Sequence, residues 1–505
     1  MSSTIYAKSE DEFLSDVIDT LPSNCLFNKG ITGCGGTTLE INSRRNSIIL
    51  VPTINLVLNK TASNPHLIGV CGTVSQDQFL KVFKKHSIKK IIATYDSLPK
   101  LINWIGSDIY NYFLLIDEYH ILFNNYTLRY NAINNILSSY QNFKEFCFMT
   151  ATPLKEDNVL EELKHLDQIE VIWPKAIPVN VTLYNEVRTS RRVLDLIKDS
   201  ENRDWNYHIF INSINTIRSI VKSIPENIKY RTICSQNAKG NDLKSGGKLH
   251  VESINSPVCK INFYTATAFE GVDIYDPIGK TIVVSDTNIA TTLLDISTLF
   301  VQICGRLRDS IYKEEVIFIC NTGNHRYLKY KEELEFRKYS DELKRLAINA
   351  EDQFNNMNSD GQLTYYSIYE DNPESYHNKY ISGKQKKLVY DPNLKKLDLQ
   401  NYDVIMNVFK CTTSVLKRMS ENNIQAKDSL DPIYYEIYQA LPKIQLTSKE
   451  IQRELYLIFE KYNLASNKEQ GDLLDECAYK KRVLQNGKRV TLYDFTKLKL
   501  LVHDI

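Results

Sequence analysis

FNKGITGCGGTTLEI, residues 27–41, has the spacing of a phosphate-binding loop with one side chain displaced. The pattern GxxxxGK[ST] fits Gly30, four residues and Gly35, but Gly36 stands where lysine belongs, followed by Thr37. Glycines let the backbone curl so that its N–H groups converge on phosphate oxygens, and the start of a following helix favours negative charge. Gly30, Gly33, Gly35, Gly36, Thr37 and Thr38 are therefore the nucleotide-binding candidates, with Thr37 as a hydroxyl ligand for Mg²⁺. A glycine-rich strand-to-helix turn with no ligand has the same local sequence. Lys29, just before Gly30, is one source of the missing charge; a lysine from elsewhere in the chain is another.

Working outward, short apolar runs recur: Ser47–Val51, Lys90–Ala93, Phe113–Ile116, Phe146–Met149, then His208–Ile211, Arg231–Cys234, Ile261–Tyr264, Thr281–Val284 and Val316–Cys320. Continuous apolar strands alternating with helical spacing, as in Gln76–Lys85 and Thr292–Leu307, predict parallel sheets covered on both faces. The interval from Lys155 to Asp204 separates two sets of strands. The expected fold class is α/β, with two tandem parallel-sheet domains over 1–175 and 176–326. A charged helix and irregular linker follow over 327–400, with 351–396 polar and rich in Tyr and Asn. A smaller, mostly helical region spans 401–505. There Ser448–Tyr462 has helical spacing, and two alternating strands flank Asn486-Gly487, a hairpin signal. Residues 479–499 hold seven basic side chains against one acid, and a helix before a basic hairpin outlines a winged-helix module. Lys480, Lys481, Arg482, Lys488 and Arg489 are the phosphate-contact candidates there; a small cap with solvated lysines is the alternative.

Composition narrows the classes. The 505 residues exceed one ordinary core, and 43% hydrophobic with 24% charged residues suits a globular chain. Lys+Arg number 62 against 61 Asp+Glu, so nucleic-acid affinity has to be local. Ten scattered cysteines without CxxC predict reduced thiols in a cytoplasmic, intracellular setting. No apolar run approaches 18 residues and the N-terminus is polar, which predicts no membrane span and no signal peptide.

Phe113–His120 delivers Asp117 and Glu118 at the end of an apolar strand, where α/β sheets place ligand chemistry. One acid can hold a metal and the other can orient or deprotonate water. Helix capping by Asp-Glu is the bland reading. Met149–Pro153 ends another strand in Thr150 and Thr152.

In this order the elements resemble the superfamily 2 helicases over residues 24–325. GITGCGGTT resembles motif I, Val51-Pro52-Thr53 motif Ia, and Ala93–Leu98 the Thr-Tyr-x-x-Leu block. Asp117–His120 is similar to a DExH box and Thr150-Ala151-Thr152 to motif III. His208–Ser213 fits motif IV, Thr265 to Gly271-x-Asp273 motif V, and Gln302-x-x-Gly305-Arg306-x-Arg308 motif VI, with Asp309 where the pattern has its last arginine. The ATYDSL block and the QxxGRxR ending look most like origin-binding-protein-type helicases of DNA viruses and phages.

The resemblance implies two RecA-like domains that clamp ATP and Mg²⁺, with Asp117, Glu118, Gln302, Arg306 and Arg308 catalytic and Thr37 and Asp117 holding the metal. It further implies Gly271 and Asp273 on the nucleotide side, Thr150 and Thr152 coupling, and Thr53, Thr94, Tyr95 and Thr265 on a nucleic-acid backbone. The implied function is an ATP-dependent helicase or translocase on nucleic acid, DNA favoured, single-stranded or duplex, in replication or in phage or mobile-element maintenance. Replication or phage proteins are the implied partners. Two other readings stay open: a helicase-shaped platform for nucleic acid or protein, silent because Gly36 replaces lysine, and a motor subunit serving a separate nuclease.

Overall fold

The computed structural model describes residues 2–498, apart from 73, 175–178, 187, 235–248, 270–271, 323–329, 331, 372–377, 385–386, 429–431, 462–463, 465–466, 486–487 and 497. The chain divides into two compact units. One comprises Met1–Ala176, Glu270–Val272 and Tyr327–Asp403; the other comprises Ile177–Phe269, Asp273–Arg326 and Val404–Ile505.

The first unit holds eight parallel strands: β1 (Ser2–Tyr6), β2 (Cys25–Asn28), β3 (Ser47–Val51), β4 (Ile68–Val70), β5 (Lys90–Thr94), β6 (Phe113–Asp117), β7 (Glu145–Thr150) and β8 (Asp167–Ile172). Their order across the sheet is β1-β8-β2-β7-β6-β3-β5-β4. The central strands β3, β5 and β6 are buried along their whole length, as strands covered by helices on both faces must be. This order puts β2, β7 and β6 side by side, so the glycine loop, Thr150 and Asp117 all leave the same edge of the sheet. The positions are those that the RecA-like reading requires.

Residues 351–396, expected to be irregular, are largely regular. A helix at Glu333–Asn355, a second at Ser359–Asp371, the hairpin β15 (Ile381–Lys384) and β16 (Lys387–Tyr390), and a helix at Pro392–Asp403 belong to the first unit. They are tied down by polar contacts that composition does not advertise. Tyr126 donates to Asp391 at 2.9 Å, Asn393 to Glu162 at 3.0 Å, and Lys396 pairs with Glu161 at 2.6 Å.

The second unit is a seven-stranded parallel sheet: β9 (Val179–Asn185), β10 (Asn206–Phe210), β11 (Tyr230–Ile233), β12 (Ile261–Tyr264), β13 (Gly279–Ser285), β14 (Glu315–Cys320) and β17 (Ile424–Asp428), in the order β11-β12-β10-β13-β14-β9-β17. The interval from Lys155 to Asp204 is thus not strandless: it contributes β8 to one sheet and β9 to the other. The far C-terminal part builds its own core on Ile437, Leu446, Ile451, Leu455, Leu474 and Phe495. Its order is helix Pro432–Ala440, β18 (Gln445–Thr447), helices Ser448–Glu454, Tyr456–Lys461 and Asn467–Cys477, then β19 (Tyr479–Gln485) and β20 (Lys488–Asp494). Thr447 caps the second of these helices by accepting from the Glu450 N–H. β20 pairs with both β18 and β19, which fits the winged-helix outline; residues 486–487, the Asn-Gly of the hairpin, lie outside the described residues. Among the described residues no helix is long and apolar enough to cross a membrane, and the ten cysteines are thiols, not disulfides.

One buried ionic cluster fixes the helix behind the glycine loop. Glu40, fully buried in helix Gly36–Asn42, accepts from Ser47 of β3, from Lys90 of β5 at 3.3 Å and from Arg45 at 2.6 Å. Burial alone would raise its pKa, but Arg45, Ser47 and Lys90 hold the carboxyl below its ordinary value; at Lys90 burial wins and the ammonium's pKa is lowered. Removing one partner of a buried cluster leaves uncompensated charge, so Glu40→Ala costs the first unit roughly 3–5 kcal/mol in urea unfolding. Because the folded pKa is depressed, Glu40's contribution is present above its unfolded pKa of about 4.3 and is lost as pH falls through the folded value. Acid titration of the wild type shows that loss; the variant lacks it.

Candidate nucleotide and nucleic-acid sites

β2 ends at Asn28, whose side chain accepts from the Gly30 N–H at 3.0 Å. The chain then turns through Gly30, Gly33 and Gly35, all in the left-handed region at φ +82°, +80° and +83°, and enters helix Gly36–Asn42. Only glycine adopts that backbone without strain. Gly30 has a second reason: a Cβ there would lie 2.4 Å from the Val171 carbonyl oxygen and 2.6 Å from the Trp173 ring. Trp173 also donates its indole N–H to the Lys29 carbonyl at 2.8 Å. No sequence signal points to this tryptophan.

The carboxylates converge on this loop. Asp117 and Glu118 are both buried, and the Thr37 hydroxyl donates to Asp117 at 2.5 Å. A hydroxyl and a carboxylate meeting at one point form an oxygen donor set that suits Mg²⁺, so Thr37 and Asp117 are the residues that would hold it. Glu118 sits at φ +57°, a conformation that costs a non-glycine residue energy and clusters at functional sites. Behind it lies a buried relay. Thr150 donates to Glu118 at 3.4 Å and lies 2.8 Å from His120 Nδ1, while Thr152 lies 3.4 Å from the same nitrogen. Of the expected coupling residues, Thr150 thus touches the expected base directly and Thr152 reaches it through His120, the last residue of the DExH-like box, 3.5 Å from Glu118.

Lys29 completes the group. Its ammonium lies 3.4 Å from Glu118 and 3.6 Å from Asp117, and the residue is buried. Burial alone would lower its pKa, yet the charges of Glu118 and Asp117 hold it above the ordinary lysine value.

Other expected residues are placed differently. Tyr95 is fully buried, and its hydroxyl donates to the Asp117 carbonyl at 2.5 Å, so it braces the carboxylate turn and presents no side chain to a nucleic-acid backbone. Thr94 is also buried, 2.9 Å from the Ser97 hydroxyl. Thr53 caps helix Ile54–Ser63 by accepting from Leu56 N. Thr38 is exposed on the helix after the loop.

In the second unit, Gln302 and Arg306 are buried together: Arg306 donates to the Gln302 carbonyl and to its side-chain oxygen, both at 2.7 Å. Arg308, partly exposed, donates to Asp273 at 2.6 Å. Asp309 accepts from the Asp276 N–H at 2.7 Å, a loop-fixing contact that arginine at this position would remove. Gly271 lies outside the described residues. Thr265 lines a cavity of about 470 Å³ with Asn212, Ser213, Arg218 and Thr267. Asn212 accepts from the Ala266 N–H at 3.1 Å, tying the two loops together.

No family model matches the chain, and no curated protein matches it. Among solved structures it is similar to Mss116p bound to ssRNA and AMP-PNP, at 11% identity over 81% of this chain and 89% of that one, TM-score 0.42. It is similar to S. cerevisiae Dbp5 bound to RNA and ADP BeF3 at 11% identity, covering 61% and 81%, TM-score 0.42. RecG bound to a three-way DNA junction gives 16% identity, covering 61% and 41%, TM-score 0.38. At these scores the likeness adds nothing to the fold reading, which rests on the strand order above.

In the C-terminal module Lys480, Lys481, Arg482 and Arg489 are exposed, while the Lys488 side chain lies outside the described residues. Lys480 pairs with Asp475 at 3.0 Å. The helix before the hairpin, Asn467–Cys477, carries four acids (Glu469, Asp472, Asp475 and Glu476) against one lysine, so it is acidic where the hairpin is basic.

Gly30→Ala is expected to lower the thermal midpoint of the chain sharply, because it adds a backbone clash to roughly 1–3 kcal/mol of left-handed strain. Gly72→Ala, at φ +51° with no atom within 4 Å of the added Cβ, carries the strain without the clash and has the smaller effect.

Proposed function

We propose that the chain is an ATP-dependent translocase or helicase of superfamily 2 acting on nucleic acid, with DNA favoured. The observation that carries this reading is the meeting of the glycine loop, Thr37, Asp117 and Glu118 at one sheet edge, with Glu118 in a strained conformation and wired to Thr150 and His120. Such a set can bind Mg²⁺-nucleotide, orient a water at Glu118 and pass the state of that carboxylate to the strand end that follows β7. Arg308, more accessible than Arg306, is held by Asp273 at 2.6 Å and has the guanidinium chemistry that suits phosphate oxygens. Gln302 positions Arg306. The polar cavity at Thr265 suits a sugar-phosphate backbone, which positions a strand without reading its sequence.

DNA is favoured by the resemblance to origin-binding-protein-type helicases and by the wing-like basic hairpin, whose lysines and arginines suit duplex phosphates. A role in replication or in phage or mobile-element maintenance follows from the resemblance in the Thr94–Leu98 block and the motif VI ending.

Phosphate release from ATP, measured with and without single-stranded DNA, is expected to show stimulation in the wild type and none in Glu118→Gln, which still binds DNA. Wild-type turnover equal to that of the variant would leave only a binding platform. The pair Arg482→Glu with Arg489→Glu weakens duplex binding and flattens its salt dependence, each lost phosphate contact reducing the log–log slope by about 0.9. Unchanged binding across salt would remove the hairpin from the interface.

A further inference from the structure

Two lysine positions compete for one volume beside the glycine loop. A Cβ added at Gly36 would lie 3.3 Å from Lys29 Cδ and 2.7 Å from Met149 Sδ. The space that a side chain at position 36 would enter is therefore filled by the end of Met149 and, beside it, by the stem of Lys29, which arrives from the other end of the same loop. Its ammonium ends between the two carboxylates.

We infer that Lys29 is the phosphate-binding lysine of this loop, moved from position 36 to the end of β2, and that it contacts the β- and γ-phosphates of a bound nucleoside triphosphate. The inference rests on the nucleotide-binding reading above and adds the cation which that reading lacks.

Three observations separate this role from a structural counter-ion. First, both contacts of the ammonium are long, 3.4 and 3.6 Å, against ~2.7–2.9 Å for a tight charge-assisted bond. Secondly, among the described residues its one hydrogen bond is the long one to Glu118, which leaves donors of the ammonium unspent in a buried place. Thirdly, the carboxylates have other partners: Asp117 accepts from Thr37 and from the Glu118 N–H, and Glu118 from Thr150. A lysine serving only to neutralise them would be expected to sit closer. Lys29 is anchored at its backbone, with N–H to the Thr150 carbonyl at 2.8 Å and carbonyl to Trp173, so its stem is aimed while its head remains loosely held.

The test is the affinity of the full chain for a fluorescent ATP analogue with Mg²⁺, alongside thermal melting of each variant. The wild type binds. Lys29→Met weakens binding roughly 10- to 150-fold, the range of one charge-assisted phosphate contact. The double variant Lys29→Ala/Gly36→Lys recovers much of the loss, because it clears the Lys29 stem from beside position 36, needs only the flexible end of Met149 to give way, and lets a new ammonium reach the phosphates. A purely structural lysine predicts no such recovery. If Lys29→Met alone does not fold, Lys29→Met/Glu118→Gln, which restores the charge balance, is compared with Glu118→Gln and shows the same loss. Lys29→Met binding as well as the wild type overturns the assignment but leaves the ATP reading intact. Tighter binding by Lys29→Met overturns it too, making Lys29 a plug. A wild type that binds no nucleotide defeats the underlying reading instead.

Discussion

Two adjacent carboxylates at the end of a buried strand repel each other, and a protein that keeps both ionised must supply positive charge nearby. Here that charge is the ammonium of Lys29. Much of the surrounding structure serves the same meeting point. Three left-handed glycines bend the loop around it, Tyr95 braces the Asp117–Glu118 turn from within the core, and the Thr150 carbonyl fixes the Lys29 backbone. Glu40, Arg45 and Lys90 secure the helix that follows. The site is a set of compensated charges in a poorly hydrated place, where each group holds the others in position.

The second unit follows the same logic at lower charge density. Arg308 is held by Asp273, and the loops bearing them are stitched by backbone bonds between Ile274 and both Arg306 and Arg308. Buried His208 joins Asp276 at 2.8 Å to Tyr264 at 2.9 Å, and Asp276 in turn meets Asp309. The segment from Asp273 to Asp276 is thereby fixed from both sides. In the C-terminal module the helix Asn467–Cys477 is rich in acids and the hairpin that follows in bases, and the two meet where Lys480 pairs with Asp475 at 3.0 Å.

Much of this is legible in the sequence. SIILV, FLLID and FCFMT are uninterrupted apolar runs of strand length, and the small or acidic residues that end the last two mark the site. What escapes are strands whose pattern is weak: DQIEVI and VNVTLYN mix polar residues with apolar ones, and IQAKD is a short, polar edge strand. The irregular reading of 351–396 fails because contacts such as Tyr126–Asp391 join residues far apart in the chain. Tyr95 reads as outward-facing because a sequence block does not report burial. Lys29 is visible as a candidate, but neighbourhood along the chain gives no direction; only the volume at Gly36 and the distances to Asp117 and Glu118 do. Asp309 looks like a defect in a pattern and is instead a backbone acceptor.

The central claim is that a loop without its usual lysine draws the same charge from its own first position. A crystal structure of the chain with a non-hydrolysable ATP analogue and Mg²⁺ tests this most directly, because it locates one nitrogen. The account predicts Lys29 Nζ within about 3 Å of a β- or γ-phosphate oxygen, the distance of a charge-assisted bond. An ammonium still resting on Asp117 and Glu118, with the phosphates neutralised by another residue, would contradict it.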